Sequence, residues 1–167
     1  MKIDLTICGL RELTDKVGQP WTHVISIWDK AYLYNMEYRN LVKEIAPNAR
    51  LSFGFFDDTS DPSLPNAPRL QDVKRILEFT SEITAEAKVL VHCRAGVSRS
   101  TATAYAILCQ HSEPGKELEK LLHVQTLRKM VLPNRLIVRL ADEALKRDGG
   151  MILGVTNERV SPVRYRI

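Results

Sequence analysis

One stretch constrains this chain more than any other: Lys88 to Thr101, which reads KVLVHCRAGVSRST. Val89, Leu90 and Val91 form a short continuous apolar run, as expected of a strand buried on both faces. After Cys93 the character changes. Gly96 permits a tight turn, and from Ser98 onward small, helix-compatible residues run through Ala102, Ala104, Ala106 and Leu108. Strand, short loop and helix in that order make an anion site, because the loop amides can curl inward as a nest while the helix N-terminus points at the same spot. Cys93 opens the loop and Arg99 closes it. Such a field favours thiolate over thiol, and a guanidinium can grip two phosphate oxygens with its planar fork. A nucleophile beneath a bound phosphate and a clamp beside it amount to a site for phosphate-ester hydrolysis.

The rest of the chain supplies a frame for that loop. Ile3, Leu5 and Ile7 alternate with polar neighbours and predict a first strand, followed by a helical turn from Leu10 to Val17. A second strand is expected over His23–Trp28 and a third over Leu51–Phe56. Asp29 reads as the N-cap of a helix from Ala31 to Ile45. Helical patterns also cover Arg69 to Glu86, Ser98 to His111 and Glu117 to Val131, the last with Leu118, Leu121 and Leu122 inward. Pro133 opens a final helix that Gly149-Gly150 should stop. Strands alternating with helices predict an α/β fold: a mostly parallel central sheet with helices on both faces and a helical C-terminal layer. Ligands in such sheets bind at the carboxyl ends of the strands, where both Cys93 and the acidic stretch from Asp57 to Asp61 fall.

The string from His92 to Ser100 resembles the HCxxGxxR(S/T) loop of the cysteine-dependent protein tyrosine phosphatase superfamily. It is most similar to the small dual-specificity branch, including its bacterial members. Cys, Gly, Arg and the trailing Ser all fall in place, a more specific match than a bare C-x5-R, which rhodanese-type and arsenate-reducing enzymes share. No GK[ST] follows, so the nucleotide P-loop is excluded. The likeness covers Leu51 to Leu140, and the first fifty residues match only in coarse order.

The resemblance implies roles for named residues. Cys93 attacks phosphorus to give a phosphocysteine, and Arg99 binds the phosphate. Ser100 donates a hydrogen bond to the leaving thiolate. Arg94, Ala95, Gly96, Val97 and Ser98 lend backbone amides, with Arg94 adding positive field at the rim. His92 orders the loop and favours the thiolate, and Asn134 in Leu132-Pro133-Asn134-Arg135 supports the loop from behind. A general acid is expected just after the third strand. Asp58, followed by Thr59, fits the pattern best, Asp61 has the more typical distance from the cysteine, and Asp57 is the third candidate.

Length and composition bound the reading. A chain of 167 residues suits a single domain, 1–167, with 149–167 as its tail. No apolar run approaches the roughly 18 residues of a membrane span, and Met1-Lys2-Ile3-Asp4 carries no export signal. The net charge of +4 is spread along the chain, and no run of Lys and Arg interleaved with aromatics points to nucleic acid. Cys8, Cys93 and Cys109 are too few and too odd for a disulfide framework, which suits a reducing, cytoplasmic setting. Cys109 reads as core, while Cys8 ends a strand and is weighed as a redox partner for Cys93. His23, His111 and His123 show no ligand spacing, so neither metal nor cofactor is expected.

The expected function is hydrolysis of phosphotyrosine, with phosphoserine and phosphothreonine alongside it, on a phosphorylated protein substrate. One alternative is a phosphatase of phosphoinositides, inositol phosphates or RNA 5′ phosphates, but Ala95-Gly96-Val97-Ser98 lacks the lysines such loops usually carry. Another is a non-catalytic phospho-binding module, which the presence of both Cys93 and Arg99 disfavours. No signal in the pattern bears on oligomeric state.

Overall fold

The two segments with the least tolerance for water are His23–Trp28 and Lys88–Cys93, and they lie side by side in the middle of the sheet. Val24, Ile25 and Ile27 of the first are fully buried, as are Val89, Leu90 and Val91 of the second. In the computed structural model, which describes residues 3–156, the strands are β1 (Asp4–Gly9), β2 (His23–Trp28), β3 (Arg50–Phe55) and β4 (Lys88–Cys93). They pair in the order β1-β4-β2-β3, and every pairing is parallel. Gly9 stands opposite Cys93, and Ser26 opposite His92.

Side-chain alternation along these strands divides the interior into two layers. Leu5, Ile7, Ile25, Ile27, Val89, Val91 and Cys93 face one way, into the larger core. Cys8, Val24, Trp28 and Leu90 face the other, against Leu13, Trp21, Val42 and Ile45. Each such aliphatic side chain contributes about 2 kcal/mol by leaving water. The smaller layer is covered by α1 (Met36–Ile45) and the turns before β2. The larger one is covered by α2 (Leu70–Thr80), α3 (Arg99–Gln110), α4 (Glu117–Leu127), α5 (Arg135–Leu145) and α6 (Gly150–Thr156). Helices on both faces of a parallel sheet, with a helical C-terminal layer, are what the alternation of patterns predicts.

α3 is buried all the way from Arg99 to Cys109. Its alanines let it lie between the sheet and the outer helices, which fixes the height at which Arg99 and Ser100 are presented.

Besides α2 ending at Thr80 rather than running on to Glu86, the structure departs from the sequence reading in four places. Asp29 does not start a long helix. A single 3-10 turn (Lys30–Tyr32) follows it, and α1 begins at Met36 with Asn35 as its cap, its Oδ1 accepting from the Glu37 and Tyr38 amides. In α4 the inward stripe is Glu117, Leu121 and Val124, while Leu118 and Leu122 are 45% and 47% exposed. α4 also stops at Leu127, because Arg128 turns extended. Pro133 precedes the cap of α5 rather than lying in its first turn, and Asn134 is that cap.

The fourth departure is the expected tail. Gly149 ends the turn after α5, but Gly150 begins another helix, α6. The Asp142 carboxylate accepts from the amides of Gly149 and Met151, both at 2.8 Å, and so carries the chain round the corner. Gly154 lets α6 seat on α3, since a Cβ there would come within 2.7 Å of the Tyr105 hydroxyl. Residues 157–167 of that tail lie outside the described residues. Among the described residues no helix is long and apolar enough to cross a membrane.

Candidate active site

All the strands point their carboxyl ends at one spot, and the loop from Cys93 to Arg99 sits in the middle because β4 lies between β1 and β2. Gly96 makes the loop possible. Its φ of +71° is left-handed, and a Cβ there would come within 2.5 Å of the Gly9 amide nitrogen. Gly9 repays the approach, because a Cβ at that position would meet the Ala95 carbonyl oxygen at 2.9 Å.

The loop's carbonyls are taken up from outside, one after another. Arg94 O accepts from Leu10 N at 3.0 Å. Ala95 O accepts from Arg128 Nη2 at 3.3 Å, and Gly96 O from Arg128 Nε at 3.0 Å. Val97 O accepts from Leu132 N at 3.1 Å, and Ser98 O from Ala102 N at 3.0 Å and Asn134 N at 3.3 Å. In a planar trans peptide the N–H opposes the C=O, so outward carbonyls turn the next residues' amides inward. The result is a bowl lined by N–H groups at the N-terminus of α3. Gly96 N donates to Cys93 Sγ at 3.2 Å, and Ser100 Oγ lies 3.2 Å from the same sulfur. Both contacts suit negative charge on that sulfur.

Arg99 is buried at the bowl's edge. Its Nη1 donates to Phe56 O and pairs with Asp29 Oδ1, each at 2.8 Å, while its buried Nε has no partner among the described residues. A phosphate oxygen in the bowl would supply the missing acceptor. Arg94 stays at the rim, largely exposed and 3.8 Å from Asp29 Oδ2.

The three aspartates after β3 separate by their contacts. Asp57 Oδ1 accepts from Lys30 N at 2.9 Å and so fastens the loop to the turn after β2. Asp61 caps its own turn, accepting from Ser63 N and Oγ, and those bonds hold its carboxyl below the usual carboxylate range. Asp58 alone reaches the bowl. Its Oδ1 accepts from Ser98 Oγ at 2.7 Å and from Asn134 Nδ2 at 2.8 Å. Asn134 thus ties two elements together, because its Oδ1 caps α5 and its Nδ2 also donates to Thr59 O at 3.0 Å.

His92 lies beneath the loop on the opposite face of β4, its ring edge-on to Trp28 at 5.2 Å. Neither ring nitrogen meets a hydrogen-bond partner among the described residues, and burial pushes the imidazole down to about 4 against a weaker opposing pull from the Cys93 backbone. It therefore acts on the loop as a neutral packing group. Cys8 shares that face, while Cys93 faces the larger core, so the sheet stands between the two side chains. Burial, with Glu12 adding to it, pushes the Cys8 thiol up to about 12. Cys8 is not placed as a redox partner. Among the described residues no three His, Cys, Asp or Glu side chains are grouped to hold a metal ion.

Three residues of this region escaped the sequence reading. Asp29 has the residue type of a helix cap, although an acid directly after the strand beside β4 is the signal that points to it. Glu12 and Arg128 are 116 residues apart and carry no such signal.

A sulfur cradled by inward amides, with a guanidinium short of one acceptor and a carboxylate at the lip, is built to take a phosphoryl group onto cysteine. On this parallel sheet, that combination has the parts that phosphate-ester chemistry through a cysteine requires. No family model matches the chain. It is 34% identical over 143 residues to protein phosphatase Slingshot homolog 3 of Rattus norvegicus, covering 79% of this chain and 21% of the relative. The chain thus spans about a fifth of that relative's length. Among solved structures it is similar to Tk-PTP in the active form, with a TM-score of 0.59 and 21% identity over 88% of this chain and 93% of that one. Human DUSP28 also gives a TM-score of 0.59, with 17% identity over 86% and 88% of the two chains. The chain is thus similar in sequence to part of a protein phosphatase and shares the fold of these solved structures.

Proposed function

We propose that this chain hydrolyses phosphate monoesters on proteins, phosphotyrosine first, through a phosphocysteine at Cys93. The observation that carries the reading is Asp58: of the three candidate acids, it is the one tied to the loop that holds Cys93 and Arg99. In the first step Cys93 Sγ attacks phosphorus while the P–O ester bond breaks, and Asp58 gives its proton to the departing oxygen. The inward amides and Arg99 take up charge on the equatorial oxygens. In the second step water attacks phosphorus, Asp58 accepts its proton, and the S–P bond breaks. The electron pair returns to sulfur, where Ser100 Oγ, 3.2 Å away, stabilises it.

The cleft reads as shallow. An aromatic side chain at the rim would deepen the cleft, but Tyr32 and Tyr38 both pack against Trp28 instead, Tyr38 stacked on it at 4.5 Å. A shallow cleft admits phosphothreonine as well as phosphotyrosine, and this supports the small dual-specificity branch, with its bacterial members, as the chain's place in the superfamily. The loop between Cys93 and Arg99 carries Arg94 but no lysine, which favours protein over phosphoinositide substrates. Three free cysteines suit a reducing compartment, and the cytoplasm is our assignment. The test is phosphate release from matched phosphotyrosine, phosphothreonine and phosphoserine peptides and from phosphoinositides. Phosphotyrosine should be fastest, with measurable phosphothreonine hydrolysis beneath it. Brisk phosphotyrosine turnover with none on phosphothreonine would overturn the shallow cleft, and preference for phosphoinositides would overturn the protein substrate.

A further inference from the structure

Five consecutive carbonyls face out of the loop, from Arg94 to Ser98, and backbone amides reach three of them. The other two, Ala95 O and Gly96 O, are adjacent and both accept from the single guanidinium of Arg128. We infer that Arg128, held in place by Glu12, is the positioning residue that sets the phosphate loop, orienting the amide that reaches the Cys93 sulfur.

The link is a matter of peptide planes. Ala95 O and Gly96 N belong to the same peptide, so holding the carbonyl outward aims the N–H inward, where it reaches Cys93 Sγ at 3.2 Å. Gly96 O fixes the following plane in the same way and aims the Val97 amide. Both planes flank Gly96, the residue with the greatest backbone freedom and with φ at +71°. A loop hinged on glycine needs an external brace at that point.

Glu12 completes the brace. Its Oε1 accepts from Arg128 Nη1 at 2.7 Å, and its Oε2 accepts from Gly9 N at 2.6 Å. The carboxylate therefore ties the guanidinium to the end of β1, at the residue paired across the sheet with Cys93. The bond from Arg128 holds the Glu12 carboxyl below its ordinary range, so the pair stays charged across the neutral range. Lysine could not replace this arrangement, because a single ammonium lacks the fixed fork that serves two carbonyls and a carboxylate together.

This inference rests on the phosphatase reading of the same site, so its test carries a readout independent of turnover. Cys93 in the wild type, Arg128→Met, Arg128→Lys, Glu12→Gln and the Glu12→Gln/Arg128→Met double variant would be alkylated with iodoacetate and with iodoacetamide. The rate ratio of anionic to neutral reagent reports the anion bowl, and thermal unfolding and 4-nitrophenyl phosphate turnover would be measured beside it. Arg128→Met should lower the ratio and kcat/KM each by about tenfold or more, the scale of losing charge-assisted hydrogen bonds. Arg128→Lys should recover only part. Glu12→Gln should have a smaller effect that disappears in the Arg128→Met background. A wild-type ratio in Arg128→Met, or additive effects in the double variant, would overturn the brace. If Arg128→Met does not fold, unchanged ratios in both Arg128→Lys and Glu12→Gln would overturn it equally. A wild-type protein that alkylates with the usual bowl preference but releases no phosphate would instead overturn the phosphatase reading and leave the brace standing.

Discussion

Asp29 and Arg99 form an ion pair of 2.8 Å between the end of β2 and the first residue of α3. Arg99 is almost fully buried, and its other observed contact is the Phe56 carbonyl at the end of β3. The guanidinium is thus fastened to two strand ends on one side, and its unpartnered Nε is left for a ligand. Asp29 and a bound phosphate would share that one buried cation, so either can offset its charge when the other is missing.

Removing that carboxylate should therefore destabilise the empty protein more than the liganded one. Asp29→Asn leaves a buried charge without its counterion, a cost of about 2 kcal/mol. Phosphate or orthovanadate should restore more thermal stability to the variant than to the wild type. Equal ligand-induced shifts in Tm for the two proteins would show that Asp29 is not the counterion of Arg99 in the empty site.

Cys93→Ser should abolish turnover while phosphate still binds, because the inward amides and Arg99 are untouched. Activity should fall by at least about a hundredfold, while the inhibitory affinity for inorganic phosphate, read as binding by calorimetry, stays within a few-fold. Residual turnover above that level would remove Cys93 from the nucleophile's role.

Asp58→Asn should be judged by leaving group. A proton donor matters most when the departing oxygen is basic, so phosphotyrosine peptides should slow by about a hundredfold. An aryl phosphate with an acidic phenol should slow much less. Asp57→Asn and Asp61→Asn should not show this dependence, since their carboxylates serve Lys30 and Ser63. If either does, the acid has been assigned to the wrong residue.

His92 makes a pH prediction for stability. The unfolded chain carries an ordinary histidine near 6.5, and burial lowers the folded one to about 4. Between those values the unfolded state binds the extra proton. Stability is therefore complete above about pH 6.5 and falls as the pH drops toward 4, by about 3 kcal/mol over the whole interval. His92→Phe removes the titration and keeps an aromatic ring against Trp28. Urea unfolding at pH 7 and pH 5 should show a smaller loss in the variant, and identical losses would dismiss His92 as the source.

The strands, the order of the elements as far as α5 and the loop from Cys93 to Ser100 were all legible in the sequence. Each rests on local chemistry: apolar runs that must leave water, a glycine where the backbone turns left-handed, a helix that starts where polar residues give way to alanines. Boundaries were less secure where a side chain had competing partners. Asp29 has the residue type of a cap, yet its carboxylate goes to Arg99, because an ion pair with a buried guanidinium outweighs one exposed helix terminus. Leu118 and Leu122 fit a helical stripe, but which stripe of α4 faces inward is chosen by α3 and α6, not by α4. Among Asp57, Asp58 and Asp61 the sequence left three acids at one strand end, and only the approach of Ser98 and Asn134 singles out Asp58. Glu12 and Arg128 mark the limit of reading along the chain. Neither is unusual where it stands, and their pairing exists only because the fold brings the turn after β1 and the end of α4 together on the outer side of the same loop.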